Sequence, residues 1–424
     1  MNILMMTNTY KPIVGGLEKS VELFSKSYRK LGHKVLIVAP SYRKQVKEKG
    51  VFYLAAIQNF NGTDFSVKLP ISTKLSDKLT EFRPDIVHTH HPFLIGDTAL
   101  RVARKFNIPL VFTNHTLYER YTHYVPGDSP LIKKFTIQLT AGYANLCDFV
   151  IAPSRAIENL LRKREVKVPI EVIPTGIKVK DFSAGDGNKF REKKKIPKTN
   201  FVVGFVSRIA KEKNIYFLAK AVAKFLKDQE KTHFLIVGDG PDKEGVSQFF
   251  KEQGLGERVT FAGTIKGKEL MDAYAAMDVF SFASFTETQG LVIQEAMAAS
   301  IPVVAIDASG VGEVVNNKVN GYLLDSENIS KFHSRLKKVK KMNKADLKKM
   351  KRKAYQTAVG FSLDKQVKEA LKLYKRLVSH KSVVKDKDKT YWEEAKRAIK
   401  AEISLFKNFT QATQKAFKSK GGRS

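Results

Sequence analysis

Residues 285–296 read Phe-Thr-Glu-Thr-Gln-Gly-Leu-Val-Ile-Gln-Glu-Ala, and this stretch decides how the chain is read. Just upstream, residues 278–283 form a short apolar run of strand type. From Leu291 to Ala299 the Leu, Ile, Ala and Met positions recur at helical spacing. Thr288, Gln289 and Gly290 therefore fall at a strand-to-helix turn. The first backbone N–H groups of such a helix have no intrahelical acceptor, and together with the positive end of the helix dipole they suit an anion. Glu287 stands before the helix and Glu295 a turn inside it, with seven residues between them. A carboxylate accepts paired hydrogen bonds from vicinal hydroxyls, whereas backbone N–H groups suit phosphate. A sugar nucleotide presents those features in one elongated molecule: hydroxyls, a diphosphate, then ribose hydroxyls.

Outward from this stretch the same alternation repeats. Residues 201–206 read as a strand that ends in a loop carrying Arg208 and Lys213, two cations placed to hold a diphosphate. Residues 233–241 run from a strand into a Gly-Asp-Gly turn, and residues 259–265, 302–306 and 321–324 read as further strands. The first half opens as β-α-β: an apolar strand at 2–7, a loop with Gly15 and Gly16, a helix ended by Gly32, and a strand at 34–39. The two glycines let a backbone approach phosphate or sugar closely. A strand at 86–89, which carries His88, leads into a turn with His90 and His91, and the strand at 109–113 leads into a polar-aromatic stretch with His115, Tyr118, Glu119 and Tyr121. Strand carboxyl ends are where open α/β sheets bind ligands. Aromatic rings with polar tips suit a hydroxyl beside a hydrocarbon chain. The fold expected is α/β, with two Rossmann-like doubly wound domains facing across a cleft and a C-terminal amphipathic helix. Domain boundaries are placed at residues 1–176, a charged surface linker at 177–200, a second domain at 201–360, a closing helix at 361–378 packing back on the first domain, and a basic tail at 379–424.

Composition narrows the classes. The 424 residues carry 75 Lys and Arg against 42 Asp and Glu, a formal charge of +33, and 43% of them are hydrophobic. That supports two buried cores and implies an anionic partner such as nucleic acid, an acidic membrane leaflet or a polyanion. The single cysteine, Cys147, excludes an intramolecular disulfide and reads as core. No signal peptide and no bilayer-spanning apolar run is visible. The histidines come with no cysteine partner and no His-Glu-x-x-His helix, and Asp386 and Asp388 fall in the charged tail, so no metal is expected. Arg162, Lys163 and Arg164, with Lys133 and Lys134, read as exposed basic patches. In the tail, Trp392, Ala395, Ile399, Ile403, Phe406 and Phe417 share one helical stripe bordered by Lys396, Lys400, Lys407 and Lys418, the pattern of an interfacial membrane helix. Docking of that stripe on the protein's own body or on another subunit is the alternative.

Phe-x-Glu-x-x-Gly at 285–290 followed by Glu295 resembles the E-x7-E motif of retaining GT-B glycosyltransferases, glycosyltransferase family 4. The glycine loop at 10–18 resembles that family's, not the G-x-G-x-x-G of dinucleotide enzymes. The stretch from His115 to Tyr124 is similar to bacterial enzymes that glucosylate diacylglycerol. The resemblance covers most of residues 1–378. It implies a metal-independent hexosyltransferase that moves glucose from UDP-glucose, with retention, to 1,2-diacylglycerol. It further implies that Gly15, Gly16, Arg208, Lys213, Ile265, Thr288, Gln289, Gly290, Leu291 and Glu295 bind the donor. Arg208 and Lys213 would clamp the diphosphate, Glu295 the ribose and Glu287 the sugar hydroxyls, while His115 contacts the transferred sugar. Tyr118, Glu119 and Tyr121 fall on the acceptor side. The place implied is the cytoplasmic face of the cell membrane, peripheral and monotopic, with an anionic membrane surface as partner and no nucleic acid. Two alternatives stay open. One is mannosyl or galactosyl transfer to phosphatidylinositol, a polyprenyl-linked or a polysaccharide acceptor. The other is a non-catalytic basic protein that binds membrane or nucleic acid.

Overall fold

The computed structural model describes residues 1–424 apart from 14, 43–47, 55, 58–66, 69–72, 123–128, 285, 384–390 and 418–424. Phe285, Tyr124, Asp386, Asp388 and Lys418, and the side chains of Trp392, Ala395 and Lys396, therefore lie outside the described residues. The chain divides into two compact units, one formed by Met1–Pro174 with Gln366–Ser424, the other by Thr175–Lys365.

The first unit runs β1 (Asn2–Met6), α1 (Gly16–Lys30), β2 (Lys34–Pro40), β3 (Val51–Leu54), β4 (Ala56–Ile57), β5 (Val67–Lys68), α2 (Thr73–Phe82), β6 (Ile86–Thr89), α3 (Ile95–Phe106), β7 (Leu110–Thr113), α4 (Pro130–Leu146), β8 (Phe149–Ala152), α5 (Arg155–Lys163) and β9 (Ile170–Val172). Its main sheet has the order β3-β2-β1-β6-β7-β8-β9, and every pairing in it is parallel; β4 and β5 form a small antiparallel pair. Parallel strands are covered on both faces, which is why β1 and β7 read as unbroken apolar runs and why Ile3 to Met6 and Leu110 to Phe112 have no exposure. Helices start where sequence chemistry allows. Ser129 caps α4 by accepting from Ile132 N–H, with Pro130 just inside, and Ser154 caps α5 by accepting from Ile157 N–H.

The second unit runs α6 (Val179–Ser183), α7 (Gly187–Lys193), β10 (Phe201–Val206), α8 (Ile215–Asp228), β11 (Thr232–Val237), α9 (Lys243–Glu252), β12 (Val259–Gly263), α10 (Gly267–Ala275), β13 (Val279–Phe282), α11 (Leu291–Ala298), β14 (Val303–Ile306), β15 (Gly321–Leu324), α12 (Ile329–Lys340) and α13 (Lys344–Gly360). Its parallel sheet has the order β12-β11-β10-β13-β14-β15. In both sheets the strand order reverses beside the first strand: between β1 and β6, and between β10 and β13. Those are the points at which a crevice opens past the strand carboxyl ends.

The structure corrects several readings. Residues 177–200 are no surface linker. They fold as α6 and α7 within the second unit, with Phe190 and Ile196 buried and Arg191 joined to Asp278 at 2.8 Å and to Ala276 O at 2.9 Å. One apolar ring per turn is enough to seat a helix whose other positions are charged. The lysine-rich residues 329–360 form two helices, with Asn343 capping the second. The closing helix, α14 (Leu363–Val383), begins two residues later and runs five residues further than expected, so residues 379–383, placed in the basic tail, belong to this helix. Beyond it lies α15 (Tyr391–Phe417). Arg164 is no exposed cation: it pairs with Glu119 at 2.6 Å, with both side chains largely buried.

Candidate active site

In the second unit the loops after β10 and β13, on either side of the crossover, bring the predicted charges together. Lys213 Nζ lies 2.6 Å from Glu287 Oε1, and each side chain keeps 16% of its exposure. Arg208, on the same loop as Lys213, is half exposed, with Glu212 Oε1 at 4.0 Å. The cations thus come from one strand end and the carboxylate from its neighbour, a consequence of topology that no local pattern encodes. The Gly-Asp-Gly turn after β11 holds the first loop in place. Gly238 has φ +136°, and a Cβ there would stand 1.9 Å from Ser207 O, so only glycine lets these two loops meet.

Gly290 adopts φ +73° as the N-cap of α11. The first intrahelical bond is Ile293 N–H to Gly290 O at 3.0 Å, so the N–H groups of Leu291 and Val292 precede it. Glu295, 2% exposed, accepts from Tyr274 Oη at 2.9 Å. Ile265 lies just past β12, partly buried against the core. Gln289 also serves the scaffold. Its Oε1 accepts from Thr175 N–H and its Nε2 donates to Thr175 O, both at 2.7 Å, and also to Gln294 Oε1 at 3.1 Å. The side chain is committed to the scaffold, leaving only its backbone to serve a ligand.

Apart from Glu18, the carboxyl edge of the first unit is built from neutral groups. His90 Nδ1 lies 2.9 Å from His115 Nε2 with the rings stacked at 5.2 Å, and His88 packs against His90 at 4.1 Å. His88 Nδ1 is 2.5 Å from Tyr374 Oη, and its Nε2 is 2.6 Å from Thr113 Oγ1. Burial holds the His88 and His115 imidazoles down at about 3 and keeps His90 well below its ordinary range, so all three are neutral at pH 7. His91 is a structural residue whose Nδ1 accepts from Asn8 N–H at 3.1 Å. Tyr10 Oη, His90 Nε2 and Asn114 Oδ1 are buried and lack a partner among the described residues. Such atoms carry a desolvation cost that a ligand hydroxyl can relieve. Tyr118 sits on a 3₁₀ turn edge-on to Phe93 at 5.1 Å, with Tyr121 directly after it. Glu119, expected on the acceptor side, has its carboxylate on Arg164 and anchors that turn. Gly15 is covered: a Cβ there would meet Glu18 Oε2 at 2.4 Å, whereas nothing lies within 4 Å of one on Gly16. With an acid folded over the glycine loop, a hydroxyl fits that spot better than a phosphate. Among the described residues no three His, Cys, Asp or Glu groups converge as metal ligands.

Comparison with known proteins matches these two halves to two family models. Residues 14–181 match Glycosyltransferase Family 4, and residues 186–357 match Glycosyl transferases group 1. The alpha-monoglucosyldiacylglycerol synthase of Acholeplasma laidlawii is 31% identical over 321 residues, covering 72% of this chain and 80% of that protein. The chain belongs to glycosyltransferase family 4. A GDP-mannose-dependent alpha-mannosyltransferase of Corynebacterium glutamicum is 28% identical, covering 77% of each chain. Among solved structures, Anabaena Alr3699/HepE in complex with UDP superposes with a TM-score of 0.69 at 23% identity over 89% of this chain and all of that one, which establishes the GT-B fold. This family 4 chain is therefore a glycosyltransferase of GT-B fold.

Three residues that shape the transferase's site escaped the sequence reading: Tyr274, Tyr374 and Glu18. Tyr274 and Tyr374 lie 21 and 286 residues from the groups they bond, and only the fold brings such pairs together. Glu18 was legible, since a glutamate at the third helical position commonly reaches back to the cap.

Proposed function

We propose that this transferase moves glucose from UDP-glucose to the free hydroxyl of 1,2-diacylglycerol, with retention and without a metal, at a membrane surface. The Lys213–Glu287 contact carries the reading. It sets a cation for the diphosphate beside a carboxylate for the sugar hydroxyls, next to the first turn of α11. Arg208 and Lys213 take up charge as the bond between the anomeric carbon and the β-phosphate oxygen breaks. The acceptor oxygen bonds to the same face of that carbon, and its proton passes to the departing phosphate oxygen. Neutral His115 hydrogen-bonds the sugar, Glu295 holds ribose, Ile265 flanks the base, and Tyr118 and Tyr121 line the acceptor's path. The acceptor is argued from the neutral, aromatic edge of the first unit and from the Acholeplasma laidlawii relative's name. Mannosyl transfer is the second reading, favoured by the Corynebacterium glutamicum relative.

The test uses the full chain with dioleoylglycerol and a panel of UDP-glucose, UDP-galactose and GDP-mannose, in the presence of a chelator. A monohexosyl product from UDP-glucose alone, with an α linkage by NMR, is the expected result. Product from GDP-mannose only, or loss of turnover on chelation, would overturn the donor or the metal-free part respectively.

A further inference from the structure

Helix α15 has two unlike faces. Ala401, Asn408, Ala412 and Ala416 are buried against the first unit, where α15 packs on α3 and α4. The approach is close because α4 presents a glycine: a Cβ on Gly142 would overlap the Asn408 side chain at 1.7 Å. Asn408 Nδ2 donates to Leu139 O at 3.2 Å, Arg101 pairs with Glu402, and Lys415 pairs with Glu165 at 2.7 Å. The helix is therefore fastened by small and polar residues, together with Leu405 against the core and Phe409 edge-on to Phe135 at 5.5 Å. At 100° per residue the opposite side carries Ile399, Ile403, Phe406 and Phe417, and these are 57%, 48%, 73% and 55% exposed. Of the two readings of that stripe, docking on the protein's own body does not hold for its described residues: the helix docks, but through its other face.

We propose that this outward stripe of α15 is the surface that seats the transferase on an anionic lipid bilayer. Three observations point to lipid. The stripe from Ile399 to Phe417 extends about 27 Å along one helix and is too narrow for a stable protein interface of ordinary size. Lys400 and Lys407 run along one flank, and the chain carries +33 overall, so the electrostatics favour acidic headgroups. Among the described residues no helix is long and apolar enough to cross a membrane, so a lipid contact made by α15 is interfacial. The stripe is also well placed for the lipid-acceptor reading, on which this inference builds. Helix α4 carries α15 on one side and packs against the Tyr118–Arg120 turn as well, so bilayer contact and the aromatic acceptor edge share one rigid support. Because α15 is already folded and docked, little ordering is needed when it meets the lipid.

The experiment compares the full-length wild type with I403S/F406S and with K400Q/K407Q. It measures sedimentation with phosphatidylcholine vesicles with and without phosphatidylglycerol, turnover on short-chain diacylglycerol in detergent, and mass by analytical ultracentrifugation. I403S/F406S should bind vesicles at least about tenfold more weakly, while K400Q/K407Q should lose severalfold only where phosphatidylglycerol is present. Turnover in detergent should be unchanged in both. Wild-type vesicle affinity in I403S/F406S would overturn the proposal. So would a wild-type dimer that this variant dissociates, since a second copy would then cover the stripe. Stripe-dependent vesicle binding by a wild type that transfers no sugar from any donor would keep the surface and remove the lipid-acceptor reading.

Discussion

The carboxyl edges of the two sheets share a topology and differ in charge. At the crossover between β10 and β13 stand Arg208, Lys213, Glu287 and Glu295; at the crossover between β1 and β6, and on β7 beside it, stand three neutral histidines, tyrosines and an asparagine. Strand order decides where a ligand can sit, but the loop residues decide what kind. The charged edge suits a diphosphate whose negative charge grows during reaction. The neutral edge suits hydroxyls, which need hydrogen bonds and no counterion.

The contrast breaks most directly at the ion pair. Lys213→Ala and Glu287→Ala should each lower turnover by about 10²–10³-fold, read in a donor-saturated assay, with the circular-dichroism melt showing both still folded. Equal turnover in either variant would leave the charged edge without a catalytic role. On the neutral edge, His115→Phe should lower turnover by about tenfold through loss of one hydrogen bond, leaving UDP affinity unchanged.

The two edges should also respond differently to acid. His88 and His115 titrate near 6.5 when unfolded but are held at about 3 when folded. As pH falls below 6.5 the unfolded chain binds protons that the folded one refuses, so stability drops progressively down to about pH 3. Asp97, raised by burial from 3.8 to about 6, works the other way between those values and is outnumbered. Replacing both histidines with glutamine should flatten the slope of melting temperature against pH between 6.5 and 4. An unchanged slope would mean that these imidazoles are not held neutral. Smallest is Gln289→Ala, which strips both backbone partners from Thr175 and should cost about 1–3 kcal/mol in chemical denaturation.

How far the sequence carried depended on whether the signal was local. The turn at Thr288–Gly290, the loop cations and the alternation of strands and helices are each written within a dozen residues, and all are found in the fold. The ion pair of Glu119 with Arg164 and the hydrogen bonds of Gln289 to Thr175 were not legible, because those partners are 45 and 114 residues away. Phe190 and Ile196 were missed as core because lysines and arginines surround them, although burial is decided by what faces the second unit's sheet and helices. For α15 the stripe was legible, but which face docks was not: that depends on Gly142 of α4 leaving room for Asn408.

Titration calorimetry of UDP and of UDP-glucose against the wild type, Lys213→Ala and Glu287→Ala tests the charged edge at its root. Lys213→Ala should weaken both ligands. Glu287→Ala should weaken UDP-glucose alone, because its carboxylate serves the sugar and its loss frees the lysine for phosphate. UDP binding to Lys213→Ala with wild-type affinity would contradict the account.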